Sequence, residues 1–359
     1  MSGRLDLRRG VVVSESPLVV EIDGERRPAW ADEVLLGPMR EGDEVVVNAA
    51  ALDLGLGSGG FDVVHVNLTR GLGAGAEGSI HVMQLNYTSL QHPIEPVEGE
   101  KPLDSNGNST RRSLTGGEEG VAADARRAVP VAVLPLHGHL APAAWAAAQA
   151  RPGIRVGYVQ TGGGALPGSL SRDVAELRER GLLDGHITAA PAYGGEREAL
   201  STVGALDAAA SALGWDAILV GPGPGIIGSD TEYGHGGMAA LDSALAALSL
   251  TLPTIVSPRL SSADPRERHR GLSHHTATVL GLLLAPVVVA VPAAPAEGFA
   301  DVGSRIEAAS PGRHRLMSAP ADLDGYASSG LPTKTMGRPL ADDPLFFEAP
   351  LAAGALLAG

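Results

Sequence analysis

From residue 129 onward, short apolar runs alternate with Ala- and Leu-rich stretches of helical length, and no other feature of this 359-residue chain limits its fold so strongly. The strand-like runs cover residues 131–136, 154–160, 186–190, 217–220, 254–257 and 287–291. The helical stretches cover residues 142–150, 169–180, 196–213, 237–249 and 273–284. Strands that alternate with helices need crossover connections, which make neighbouring strands parallel and place helices on both sheet faces. Six strands and five crossovers predict an α/β fold with an open, doubly wound, mostly parallel sheet.

Upstream the period changes. Apolar runs at residues 10–13, 18–22, 44–47, 61–66 and 80–85 are broken by Gly, Pro or Asp, and Asp23-Gly24 is a hairpin-turn signal. Val63 and His65 alternate with Val64 and Val66 as in a half-buried strand. Residues 1–90 therefore read as a small β-rich domain, either a barrel or a sandwich. Residues 91–128 are rich in Pro, Gly, Ser, Asn and charge without apolar periodicity, and read as a linker or mobile loop. Within them, Asn108-Ser109-Thr110 matches a glycosylation acceptor in form only. Residues 129–292 form the α/β domain with its loop cleft. Residues 293–359 read as a Pro/Ala/Gly-rich C-terminal extension with one helix near residues 303–308.

Composition narrows the function classes. With 41 acidic against 27 basic residues the net charge is −14, which disfavours bulk nucleic-acid or anionic-membrane binding. Aromatic residues are 3% of the chain, too few for base-stacking platforms. There is no cysteine, which excludes disulfides, thiolate metal sites and a cysteine nucleophile. The first nine residues lack the apolar core of a signal peptide, and no run reaches the roughly 18 apolar residues of a membrane span. A cytoplasmic location is the expectation.

In an open parallel sheet, ligands bind beyond the carboxyl ends of the strands. Five consecutive loops there are glycine-rich or polar. They contain His137-Gly138-His139, Thr161-Gly162-Gly163-Gly164, Tyr193-Gly194-Gly195-Glu196, Gly221-Pro222-Gly223-Pro224-Gly225 with Ser229 to Gly237, and Arg259 to Thr276. Thr161, Gly162 and Gly163 suit an anion-cradling turn ahead of a helix capped by Ser169 or Ser171, although no nucleotide fingerprint is present. Gly223 and Gly225 share a turn that two interleaved prolines stiffen and strip of amide donors, so a pyrophosphate site is disfavoured there. No Gly-x-Ser-x-Gly elbow occurs; Gly57-Ser58-Gly59 lies in the β-rich part.

The densest constellation runs from Asp264 to Thr276 and holds Arg266, Arg268, Arg270, His269, His274 and His275. Arginine forks suit carboxylate or phosphate. Ser273 is an N-cap candidate, which places His274, His275 and Thr276 in a first helical turn where anions are favoured and protonated histidine is not. His274 and His275 are thus expected to be neutral, able to accept a proton or bind a metal. Adjacent helical residues project about 100° apart, so the two can share a ligand only with an outside partner.

On Arg268-His269-Arg270-Gly271-x-Ser273-His274-His275-Thr276 the chain resembles a bacterial family of uncharacterised function, domain of unknown function family 3866. The likeness extends to Leu54-Gly55-x-Gly57-x-Gly59-Gly60, Tyr158-Val159 with Thr161, Ala165-Leu166-Pro167, Gly194-Gly195 and Gly223-Pro224-Gly225-Ile226. It implies no particular reaction. Pro191, His139 and His235 depart from the family pattern, which weighs against a catalytic part for the two histidines. His137, Arg268, His269, Ser273, His274 and His275 match it.

The leading functional reading is a protein, with catalysis left open, that holds a phosphorylated or carboxylated small molecule over the strand ends. Arg268 and Arg270 clamp the anion, His269, His137, Thr161, Gly162, Gly163, Gly223, Gly225 and Thr276 line the site, and His274, His275 and Ser273 are the catalytic candidates. A second reading is a divalent-metal hydrolase using His137, His269, His274 and His275 with Asp230 or Asp264, although no established ligand spacing supports it. A third is a non-catalytic interaction protein, with a homo-oligomer left open.

Overall fold

A computed structural model describes residues 5–55, 59–73, 82–100, 128–229, 231–295, 299 and 301–359. Gly57, Ser58, Ile80, Asp230, the Asn108-Ser109-Thr110 triplet and most of the 91–128 segment lie outside the described residues. The chain divides into two compact units, Met1–Ile80 and His81–Gly359.

The smaller unit is a closed barrel, which decides between the two β architectures left open by the sequence. Its strands are β1 (Leu7–Glu15), β2 (Leu18–Ile22), β3 (Glu25–Trp30), β4 (Glu44–Asn48) and β5 (Asp62–Asn67), with short helices α1 (Glu33–Leu36) and α2 (Ala50–Asp53) between them. β1 pairs with both β2 and β4, and a parallel β3–β5 pair closes the ring in the order β1-β2-β3-β5-β4. β3 was not evident in the sequence because Arg26, Arg27 and Pro28 interrupt its apolar character. Arg27 is buried and donates to both carboxylate oxygens of buried Asp62, at 2.6 and 3.1 Å.

The larger unit opens with the pair β6 (Val82–Gln84) and β7 (His92–Ile94). Its centre is an eight-stranded sheet with every pair parallel. The strands are β8 (Val131–Val133), β9 (Val156–Thr161), β10 (Gly185–Ala189), β11 (Arg197–Ala199), β12 (Ala217–Pro222), β13 (Thr254–Val256), β16 (Val288–Pro292) and β17 (Arg315–Ala319). The small pair β14 (Leu260–Ser261) and β15 (Gly271–Leu272) sits in the loop after β13.

Helices α3 (Leu140–Ala150), α4 (Arg172–Glu179), α5 (Thr202–Ser211), α6 (Ala239–Ser249), α7 (His274–Leu282), α8 (Val302–Ala309), α9 (Leu323–Ser328) and α10 (Pro344–Leu357) complete the unit. The two-residue period of a strand sends alternate side chains to opposite faces. Val131 and Val133 accordingly join one core with α5, α6 and α7, while Ala132 and Leu134 join another with α3 and α10. Both faces are covered, so the strands read as unbroken apolar runs. No helix among the described residues is long and apolar enough to cross a membrane.

Two sequence expectations need correction. The stretch at residues 196–213 is not one helix: Arg197–Ala199 is the edge strand β11, and α5 starts only where Ser201 accepts the Gly204 amide as N-cap. Beyond residue 292, where a single helix was expected, the chain adds strand β17 to the sheet and three helices. In α10, eleven of 14 residues are buried, so it shows no polar face and therefore no amphipathic signal.

Candidate functional site

The sheet order β11-β10-β9-β12-β8-β13-β16-β17 places the first strand, β8, in the interior. The chain leaves β8 toward β9 on one side, and from β12 crosses to β13 on the other. Loops that diverge in this way leave a crevice at the carboxyl ends of the central strands. A cavity of about 630 Å³ lies there. Its walls come from His137 and Gly138 after β8, Pro224 to Ser229 after β12, and Arg259, Arg266, Arg268, His269 and His275 after β13. Lys334, Thr335 and Met336 from the C-terminal part complete it.

One buried carboxylate organises the arginines. Asp264 is fully buried and accepts from Arg266 through both oxygens, at 2.9 and 3.0 Å, and from Arg259 at 3.3 Å. Burial alone would raise its pKa, but the hydrogen bonds and charge of Arg266 prevail and hold the carboxyl well below its ordinary range. Burial brings Arg259 down to about 10, against the pull of Asp264, so it is still a cation at neutral pH. Asp264 therefore spends its lone pairs on guanidinium groups. Arg270 turns its Nε to the Asp264 carbonyl at 3.1 Å and is not among the cavity-lining residues.

The histidines gather at the start of α7. Ser273 has extended backbone and its Oγ accepts the His275 amide, which is the expected N-cap. The same Oγ is 2.7 Å from Nδ1 of buried His269. Thr276 Oγ1 accepts the Arg259 amide at 2.9 Å and ties the loop to the helix. The rings of His274 and His275 lie 4.4 Å apart. The outside partner that they need is His235, stacked on His275 at 3.6 Å and edge-on to His274 at 5.7 Å.

Burial is the first cause of every shift in this group, with neighbouring cations second or third. It lowers His275 to about 2 and His269 to about 3, and lowers His274 and His235 as well. A base held that low takes up a proton poorly at neutral pH. Neutral imidazole is also the form that ligates metals.

His137 belongs to a second polar group and also lines the cavity. Its Nε2 lies 2.8 Å from Ser171 Oγ and its Nδ1 3.2 Å from the Pro222 carbonyl. Ser171, rather than Ser169, caps α4. Gly225 lines the cavity; Thr161, Gly162, Gly163 and Gly223 do not. Gly163 and Gly223 serve loop-to-loop packing: a Cβ on Gly163 would collide with the Gly236 carbonyl oxygen, and one on Gly223 with that of Ala165. The loop after β9 thus braces the loop that carries His235.

The sequence reading missed Arg259 and discounted His235. Arg259 could have been found by its place just after β13 in an acidic chain, because a cation in such a loop needs a reason. His235 stood in a polar loop ahead of a helix start, but nothing in its local spacing tied it to His274 and His275.

The family model described as Protein of unknown function (DUF3866) matches residues 29–354. The chain belongs to this family. The match spans β3 to α10 and so includes both polar groups. No curated protein and no solved structure matches the chain.

Proposed function

We propose that the protein binds a phosphorylated or carboxylated small molecule in the cavity at the carboxyl ends of β12, β8 and β13. The observation that carries this reading is the charge of the wall. Arg259, Arg266, Arg268 and Lys334 face the cavity, and among the described lining residues there is no carboxylate, in a chain of net charge −14. A cationic recess with apolar walls concentrates anions and strengthens each charge-assisted hydrogen bond made inside it. Leu136, Ile226, Ile227, Met336 and Phe346 supply the apolar part, which suits an organic group attached to the anion.

The test is thermal unfolding of the full chain against a panel of nucleotides, sugar phosphates, pyrophosphate and dicarboxylates. A true ligand at about a hundred times its Kd stabilises the fold by about 2.7 kcal/mol, a rise in Tm of several degrees. Arg268 is exposed, so Arg268→Gln is expected to abolish that rise while moving the ligand-free Tm little. If no anion gives a saturable rise, or if Arg268→Gln responds like the parent, the reading fails.

A further inference from the structure

We propose that His235, His274 and His275 form a binding site for one divalent transition-metal ion of the zinc, cobalt or nickel type. This inference shares only His275 with the anion cavity, does not use the arginines and lysine that carry the anion reading, and survives that reading's failure. The first ground is convergence. One donor nitrogen from each ring lies within 4.8 Å of the other two. The rings come from two elements, the loop before α6 and the first turn of α7, which meet through the stacking of His235 on His275.

The second ground is the state of the nitrogens. His235 is 6% exposed. Its Nε2 donates to the Glu232 carbonyl at 3.0 Å, which leaves the lone pair on Nδ1. That Nδ1 is buried without a hydrogen-bond partner, and so is His274 Nε2. A backbone carbonyl that fixes the tautomer and leaves the opposite nitrogen open is how metal-ligating histidines are held. The third ground is space. A Cβ on Gly237 would stand 3.0 Å from His235 Nδ1 and 3.3 Å from His275 Nδ1, so a methyl there would crowd the space beside both nitrogens that the glycine leaves open.

The donor set selects the ion. Three imidazoles with no thiolate suit Zn²⁺, Co²⁺ or Ni²⁺, whereas Mg²⁺ and Ca²⁺ want oxygen ligands. His235 and His275 are parallel, so one ring must turn for both in-plane lone pairs to reach an ion about 2.0–2.1 Å away. His275 Nδ1 now accepts from Arg259 at 3.3 Å, a long contact that an ion would replace. Neutral ligands leave the ion its full charge, and His275 is shared with the cavity, so an anion is the natural further ligand.

The experiment uses the full chain without a tag, dialysed against chelator and then titrated with Zn²⁺ and with Co²⁺. Stoichiometry is read by elemental mass spectrometry, and the cobalt complex by its visible absorption. One ion per chain is expected, with affinity reduced at least about a hundredfold in His235→Ala and about 10–100-fold in Gly237→Ala, which leaves every histidine in place. His65→Gln, on the barrel strand β5, should bind as the parent does. Circular dichroism and Tm confirm that each variant is folded. Less than a fifth of an equivalent bound, or binding unchanged in both His235→Ala and Gly237→Ala, overturns the proposal. No anion is added, so this result is independent of the anion titration.

Discussion

Two groups of histidines, one around β9 and one at the start of α7, differ in how their ring nitrogens are met. Around β9, His137 contacts Ser171 Oγ and the Pro222 carbonyl. His186 stacks on Tyr158 at 5.5 Å and reaches Gln160 Oε1 at 3.2 Å, while the Tyr158 hydroxyl donates to the Gly221 and Pro222 carbonyls. At the start of α7, by contrast, His235 and His274 each keep a buried nitrogen without a partner. A buried polar network with its groups paired stiffens a core, whereas an unmet lone pair is a standing cost that ligand binding can remove. His139 shows that an orphan nitrogen alone is not enough: its Nε2 is unpartnered, but the ring packs edge-on against Phe346 and belongs to no converging group of three ligand-type side chains among the described residues.

The largest expected effect tests what holds the open group in place. Asp264→Asn removes the countercharge of Arg259, whose side chain is 3% exposed, and should destabilise the larger unit by about 3–5 kcal/mol. Urea unfolding measures this. A loss under about 1 kcal/mol would mean that the open group does not depend on the ion pair, and the contrast would lose its electrostatic basis.

Acid sharpens the same contrast from the buried histidines outside the open group. Burial lowers His186 and His139 to about 3, so each is neutral in the folded protein where the unfolded chain, near 6.5, takes up a proton. The unfolded state then binds more protons, and stability falls as pH drops from about 6.5 toward 3. Between pH 7 and pH 5 each residue should cost about 2 kcal/mol. His186→Phe keeps a ring to stack on Tyr158 and should flatten the dependence of the urea midpoint on pH by one proton. An unchanged slope would show that His186 is already protonated in the folded state.

The smallest effect concerns Ser171, which caps α4 and meets His137 Nε2. Ser171→Ala should cost about 1 kcal/mol through the lost cap. It should also give His137 an unmet nitrogen of the kind that His235 already has. If anion or Zn²⁺ binding changes as much as stability does, the two groups are one site and the contrast collapses.

The sequence alone determined the elements whose cause is local. The alternation of apolar runs and helical stretches specified a parallel sheet because periodicity is a property of neighbouring residues. Ser273 announced the start of α7, since capping acts within a few residues, whereas the lowered proton affinity of His274 and His275 comes first from burial and then from neighbouring charges, which the fold supplies. Tertiary structure decided everything that depends on residues far apart in the chain. It set the strand order that opens the crevice, and it recruited β11, β17 and α10, whose short, polar or uniformly apolar sequences carry no period. It packed Gly163 against Gly236 of the loop that carries His235, and paired Asp264 with arginines. It also supplied His235 as the partner that adjacent helical histidines cannot provide for themselves, because convergence on one point is a property of folded space and leaves no mark on local spacing.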